Sequence, residues 1–195
     1  MSLFFETLKV QGGIVFNIRK HIERMDRTVR SHYGVSCRVD LESLKLPTDD
    51  RVYRCRVVYD IEMESVVFME YTPRKMESFR VVESDISYRY KYTDRSGIDE
   101  LFGMRGRADD ILIANPRGLL RDSSVANIAL LMDDGVWYTP REPLLPGTMR
   151  ALMMEKGTIV PADLYVSDLE SAHGMALMNA LIGFRKIEEP RLLLS

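Results

Sequence analysis

Cysteine and histidine are scarce in this chain: two cysteines, Cys37 and Cys55, and three histidines, His21, His32 and His173, among 195 residues. Two cysteines cannot build a disulfide framework, and the histidines have no ligand spacing that would complete a zinc site. Charge of one sign is lacking as well. The net charge is −2, the sequence pI is near 6.0, and acids and bases are interleaved. Nothing in that balance draws the chain to nucleic acid or to an anionic membrane. No apolar run approaches the roughly 20 residues that span a bilayer, and the opening MSLFFETLKV has no signal-peptide layout. Repeats and low-complexity tracts are missing too. These absences predict a protein of the reducing cytoplasm without a membrane or nucleic-acid partner.

What is present is apolar side chain, 46% of the total, enough to core one domain or two small lobes. Alternation over 3–10 and 14–16 around Gln11-Gly12-Gly13 predicts a β-hairpin. Asn17 to His32 predicts a helix, with Ile18, Ile22, Met25 and Val29 on its apolar face and Gly34 as its stop. A short helix is expected over Leu41–Leu46, ended by Pro47, then strands over 51–59 and 64–71. TPRKMES, 72–78, reads as a linker.

Beyond it the sequence predicts a strand through Ile86, a helix from Ile98 to about Arg105, a hairpin of 111–114 with the segment after Asn115-Pro116-Arg117-Gly118, and another of 128–132 with 136–139. Pro146-Gly147-Thr148 opens a further helix to Lys156, and Ser167 with Glu170 fits a capping box. The fold class is α+β in two lobes, 1–72 and 73–195, with Lys91 in the second.

Five short stretches could carry chemistry, and each also has an ordinary structural reading. In YRYKYTDRSG (88–97), tyrosines flank Lys91; aromatic walls would favour its neutral, nucleophilic amine, but strand alternation points these rings away from the lysine's own side, to pack the lobe. PGTMR (146–150) offers Gly147 and Thr148 at a helix start, which suits a phosphate or is simply a capped helix. In HIER (21–24), Arg24 lies on the helix flank and reads as solvated, while His21 lies nearer the buried margin. In LRDSSVANIAL (120–130), Asp122 could hold a protonated ring nitrogen or merely shape a turn, and Asn127 satisfies backbone. Thr7 in FFETLKV is either a strand former or a hydroxyl facing a cofactor.

Taken in order, F-E-T-x-K-V, H-I-E-R, Lys91, D-S-S-x-A-N, T-P-x-x-x-L-L-x-G-T-x-R and N-A-L at 179–181 resemble the fold-type IV pyridoxal-phosphate enzymes. These are the class IV aminotransferases, among them D-amino acid aminotransferase, and the 4-amino-4-deoxychorismate lyases. The resemblance runs from Phe4 to about Gly183. It implies pyridoxal 5'-phosphate as cofactor and Lys91 as its Schiff-base and proton-shuttling residue. It implies Arg24, Gly147, Thr148, Asn179 and Ala180 as phosphate contacts and Asp122 as the partner of the pyridinium nitrogen.

Thr7, GTMR and N-A-L-I-G resemble the lyase branch, which eliminates pyruvate to give 4-aminobenzoate for folate synthesis; there Thr7 assists a proton transfer. The alternatives are an aminotransferase for a branched-chain or D-amino acid, and a non-catalytic member of the fold. Relatives usually carry glutamate where Asp122 stands, an extra N-terminal strand, and a Gly/Ser/Arg-rich segment in place of YDIEMES (59–65). The resemblance also implies a homodimer, and Arg56, Arg89 and Arg107 are candidates for binding a substrate carboxylate.

Overall fold

Alternation in FFETLKVQ makes β1 (Phe4–Gln11), which turns through Gly12 and Gly13 into β2 (Ile14–Val15). Both glycines hold positive φ, 57° and 72°, values that a β-carbon disfavours. The structure is a computed structural model that describes residues 3–193. It divides into two compact units.

The first unit holds the described residues up to Pro73 together with Tyr90–Asp94. Helix α1 (Ile18–Tyr33) follows Asn17, which is left-handed and makes no side-chain cap, and stops at Gly34 with φ 70°. Strands β3 (Tyr53–Tyr59) and β4 (Met63–Glu70) complete an antiparallel sheet of order β2-β1-β3-β4. Phe4, Leu8 and Val10 of β1 and Cys55, Val57 and Tyr59 of β3 pack with Met25 and Val29 of α1. By strand alternation Glu6 shares that face, while Phe5, Thr7 and Lys9 point to the other. Residues 90–93 run beside the start of β1. Phe5 N–H donates to the Lys91 carbonyl and Thr93 N–H to the Leu3 carbonyl, each at 2.9 Å, and Tyr92 bridges Phe4.

The second unit runs over Arg74–Arg89 and from Arg95 onward. Its elements are β5 (Ser78–Glu83), α2 (Ser96–Gly103), β6 (Asp110–Ala114), β7 (Leu120–Ser123), β8 (Asn127–Leu131) and β9 (Trp137–Pro140). They continue with α3 (Thr148–Glu155), β10 (Val160–Ala162), α4 (Asp168–Ser171), β11 (Gly174–Asn179), β12 (Gly183–Ile187) and β13 (Arg191–Leu192).

Among the described residues nine strands form one mixed sheet, β10-β9-β8-β7-β6-β5-β13, with β11 pairing β8 and β12. The sheet is buried on both faces. Ile128, Leu130, Met175 and Leu177 join Phe79 and Leu112 on one side; Ala129, Ala176 and Met178 meet Met149 and Met153 of α3 on the other.

Several expectations need correction. Leu41–Leu46 forms no helix, only a turn at Glu42 and Ser43: the Asp40 carboxylate accepts the Glu42 and Ser43 N–H groups, and Pro47 leaves too few residues for nucleation. Strand β5 ends at Glu83, and Ser84 Oγ then accepts the Ile86 N–H. Ser167 makes no cap; the Asp168 carboxylate, taking the Tyr165 N–H, fixes the single turn of α4. Lys91, placed by sequence in the second lobe, packs with the first unit because its neighbours bond to β1.

Mixed helices and strands confirm the α+β class. Among the described residues no helix is long and apolar enough to cross a membrane, and no three acidic, cysteine or histidine side chains gather as a metal site.

Candidate active site

Lys91 takes its place from backbone bonds to β1, and its amine lies 4.5 Å from the centroid of the Phe5 ring. The Arg56 guanidinium stacks 3.8 Å from the same ring, so the buried Phe5 carries two cations. Arg56 is the cross-strand partner of Thr7, and Thr7 is half-buried on the same sheet face as Phe5. Arg89 and Arg107 are exposed.

The tyrosines flanking Lys91 do other work. The Tyr90 hydroxyl meets Ser31 Oγ at 2.6 Å, and the Tyr92 hydroxyl donates to His32 Nε2 at 3.0 Å. His32 can accept there because its Nδ1–H is given to the Thr28 carbonyl. Both rings also pack on Phe4. They fasten the Lys91 segment to α1, and the aromatic face near the amine belongs to Phe5.

Arg24 overturns its expected exposure: it is 7% exposed, and its Nε donates to Glu6 Oε1 at 2.8 Å while Nη2 donates to Oε2. His21 is fully buried, with Nδ1 2.7 Å from Glu6 Oε2. Burial by itself would raise the Glu6 pKa, but the Arg24 charge and the His21 hydrogen bond outweigh it and hold the carboxyl at about 2. An ionised carboxylate only accepts, so His21 Nδ1 carries the proton. Burial pushes the His21 pKa down against the pull of Glu6, which keeps the ring neutral.

The apolar face of α1 is therefore rotated from the expected one. Its buried residues are His21, Arg24, Met25, Thr28 and Val29, and Ile22 is 39% exposed. Sequence reasoning passed over Glu6. A buried-face position on β1 occupied by an acid was the signal that could have found it.

In the second unit Asp122 of β7 faces Asn127 of β8 across a tight turn. Ser123 Oγ accepts the Val125 and Ala126 N–H groups to close that turn, and Ser124 Oγ donates to the buried Asp110 at 2.5 Å. Asp122 is buried and accepts two neutral donors, Asn127 Nδ2 at 2.7 Å and the Leu145 N–H at 2.8 Å. Burial raises its pKa to about 7, more than these hydrogen bonds and the Arg150 charge can offset.

Gly147 precedes α3 with an ordinary φ of −72°, so its requirement is space. A β-carbon there would lie 2.0 Å from Asn127 Oδ1. Asn127 also donates to the Leu145 carbonyl, so Asp122, Asn127 and the Gly147–Thr148 helix start form one fixed group. Thr148 is buried in the first turn of α3, where the leading N–H groups have no intrahelical acceptor. Asn179 builds the turn through Ala180, accepting the Leu181 and Ile182 N–H groups and donating to the Val125 carbonyl at 3.2 Å. The first unit thus holds Lys91, Thr7 and Arg24, with Thr7 on the β1 face opposite to Glu6, the partner of Arg24, and the second holds Asp122, Gly147, Thr148, Asn179 and Ala180.

Residues 103–189 match the family model for class IV amino-transferases. An uncharacterized protein of Haemophilus influenzae is 34% identical over 189 residues, covering 94% of this chain and all of that one. The crystal structure of a candidate 4-amino-4-deoxychorismate lyase from Haemophilus somnus superposes with a TM-score of 0.80 at 25% identity, covering 94% of this chain and 98% of that one. A hypothetical aminotransferase from Mycobacterium tuberculosis, solved in a PLP-bound form, gives 0.73 at 16% identity over the whole of this chain and 84% of its own.

Proposed function

Because the chain belongs to the class IV aminotransferase family, we propose that it is a pyridoxal 5'-phosphate lyase that eliminates pyruvate from 4-amino-4-deoxychorismate to leave 4-aminobenzoate. The observation that carries this reading is the Lys91 amine, fixed by backbone bonds beside β1 on the face that also bears Thr7. The candidate lyase from Haemophilus somnus, similar over nearly the whole chain, supports the choice of reaction.

The residues present fit the cofactor. Asp122 is a buried carboxyl whose two hydrogen-bond partners are neutral, and a pKa of about 7 leaves it ready to ionise against a cationic ring N–H. In this reading Lys91 would hold the aldehyde carbon, and Arg24, Gly147, Thr148, Asn179 and Ala180 would be the phosphate contacts. When bound, the cofactor supplies an electron sink for negative charge on the carbon beside the substrate nitrogen.

The chain's own residues do the rest. Lys91 Nζ, released when the substrate amine takes its place on the aldehyde carbon, would remove the proton from the carbon beside the substrate nitrogen, and the Phe5 ring would keep water from the amine. The Thr7 hydroxyl passes a proton to the departing pyruvate. Aromatisation of the substrate ring makes the elimination favourable, so positioning is the main demand on the protein. The active form is a homodimer, which sedimentation of the purified protein tests.

Two measurements test the reading. Protein reconstituted with the cofactor should show a visible absorption band that is lost in Lys91→Ala; no band in wild type would overturn the enzyme assignment. Incubation with aminodeoxychorismate should then release pyruvate without a keto-acid acceptor. Turnover of a branched-chain or D-amino acid with a keto acid, and no pyruvate, would replace the lyase by an aminotransferase.

A further inference from the structure

Glu6 is fully buried, and its two oxygens take three N–H donors, Arg24 Nε, Arg24 Nη2 and His21 Nδ1. A side-on fork of this kind holds the guanidinium in the plane of the carboxylate. His21, itself buried and donating from a second position on α1, keeps that carboxylate from turning. Three of the five guanidinium N–H groups lie outside the fork.

We infer that Glu6 is a positioning residue: by fixing the plane of Arg24 it aims the outer N–H edge of that guanidinium at the cofactor phosphate, with His21 as the brace. The inference rests on the proposed cofactor reading. Two effects of Glu6 on phosphate binding oppose each other. Its negative charge cancels that of Arg24 and weakens attraction to a dianion; its geometry orients the ligand and strengthens binding. Orientation prevails, because an arginine released from this fork must give up rotamer entropy each time it meets the phosphate.

The two effects separate by mutation. Glu6→Asp keeps the charge but withdraws the carboxylate by one methylene, whereas Glu6→Gln keeps the length and removes the charge. Titration with pyridoxal 5'-phosphate, followed by absorption and by Tm on the same samples, should show both variants binding about tenfold more weakly or worse. In an Arg24→Gln background neither change should weaken binding further, since Glu6 acts through Arg24.

Glu6→Asp binding as tightly as wild type, with Glu6→Gln binding more tightly, would reduce Glu6 to charge balance and overturn the inference. Losses that add to that of Arg24→Gln would overturn it too, as would a lowered Tm with unchanged affinity. Should Glu6→Gln not fold, Glu6→Asp alone decides by the same affinity. A wild-type protein that binds no cofactor removes the enzyme reading and this inference together; wild-type binding with unaffected variants removes only the role of Glu6.

Discussion

Asp122 is the residue whose behaviour should change most with pH. Its carboxyl is raised from an ordinary value of 3.8 to about 7 in the folded chain, so folding favours the protonated form. The stability it contributes is complete below its ordinary value and is lost as pH rises through about 7. Asp122→Asn lacks that dependence. Thermal unfolding across this window should therefore show the wild type falling relative to the variant as pH increases; parallel curves would mean that Asp122 ionises freely.

Gly147 gives a second residue-level prediction. Gly147→Ala places a methyl 2.0 Å from Asn127 Oδ1, and displacing that amide should cost about 1–3 kcal/mol and weaken cofactor binding. An unchanged Tm and affinity would show that the amide yields freely. Neither constraint was visible in sequence, where Gly147 reads as a helix-start glycine. Glu6 stayed hidden for a related reason. Its place between Phe4 and Leu8 on the apolar face of β1 marks it as odd, but the arginine and histidine that meet it come from the helix and cannot be paired with it by spacing.

At the scale of elements, much was legible because it depends on local rules. The Gly12-Gly13 hairpin, the stop at Gly34 and the strands around Asn115–Gly118 follow from backbone conformation and period. The facing of α1 was not legible, since a polar stripe can be buried when a strand supplies its counter-charge. The company of Lys91 was legible only by half: alternation turns the tyrosines away from it, to secure the segment, but Phe5, distant in sequence, is what lies by the amine.

Tyr92→Ala should remove the hydrogen bond to His32 and the packing on Phe4, at a cost of about 2 kcal/mol. Amide exchange should then quicken at Phe5, whose N–H is held by Lys91, and at Thr93. Exchange at those two amides as slow as in wild type would sink the anchoring role.

For the molecule as a whole, the chain leaves the first unit after Pro73, returns for Tyr90–Asp94 only, and departs again. The candidate chemistry follows that division, with an amine and an arginine in one unit and a buried carboxyl and a helix start in the other. Spacing in the sequence could pick out these residues because their order along the chain is fixed. It could not show that Tyr90–Asp94, beyond the linker in sequence, returns to lie beside β1.

This brief return has a consequence for how the gene can vary. The register at Leu3–Thr93 and Phe5–Lys91 spans three residues, and a one-residue slip turns each side chain to the opposite face. Deleting or inserting a single codon between 89 and 95 should abolish the cofactor band. The same change at the exposed positions 72–75 should leave it intact. Natural length variation among relatives should therefore collect at the first crossing and avoid the other two.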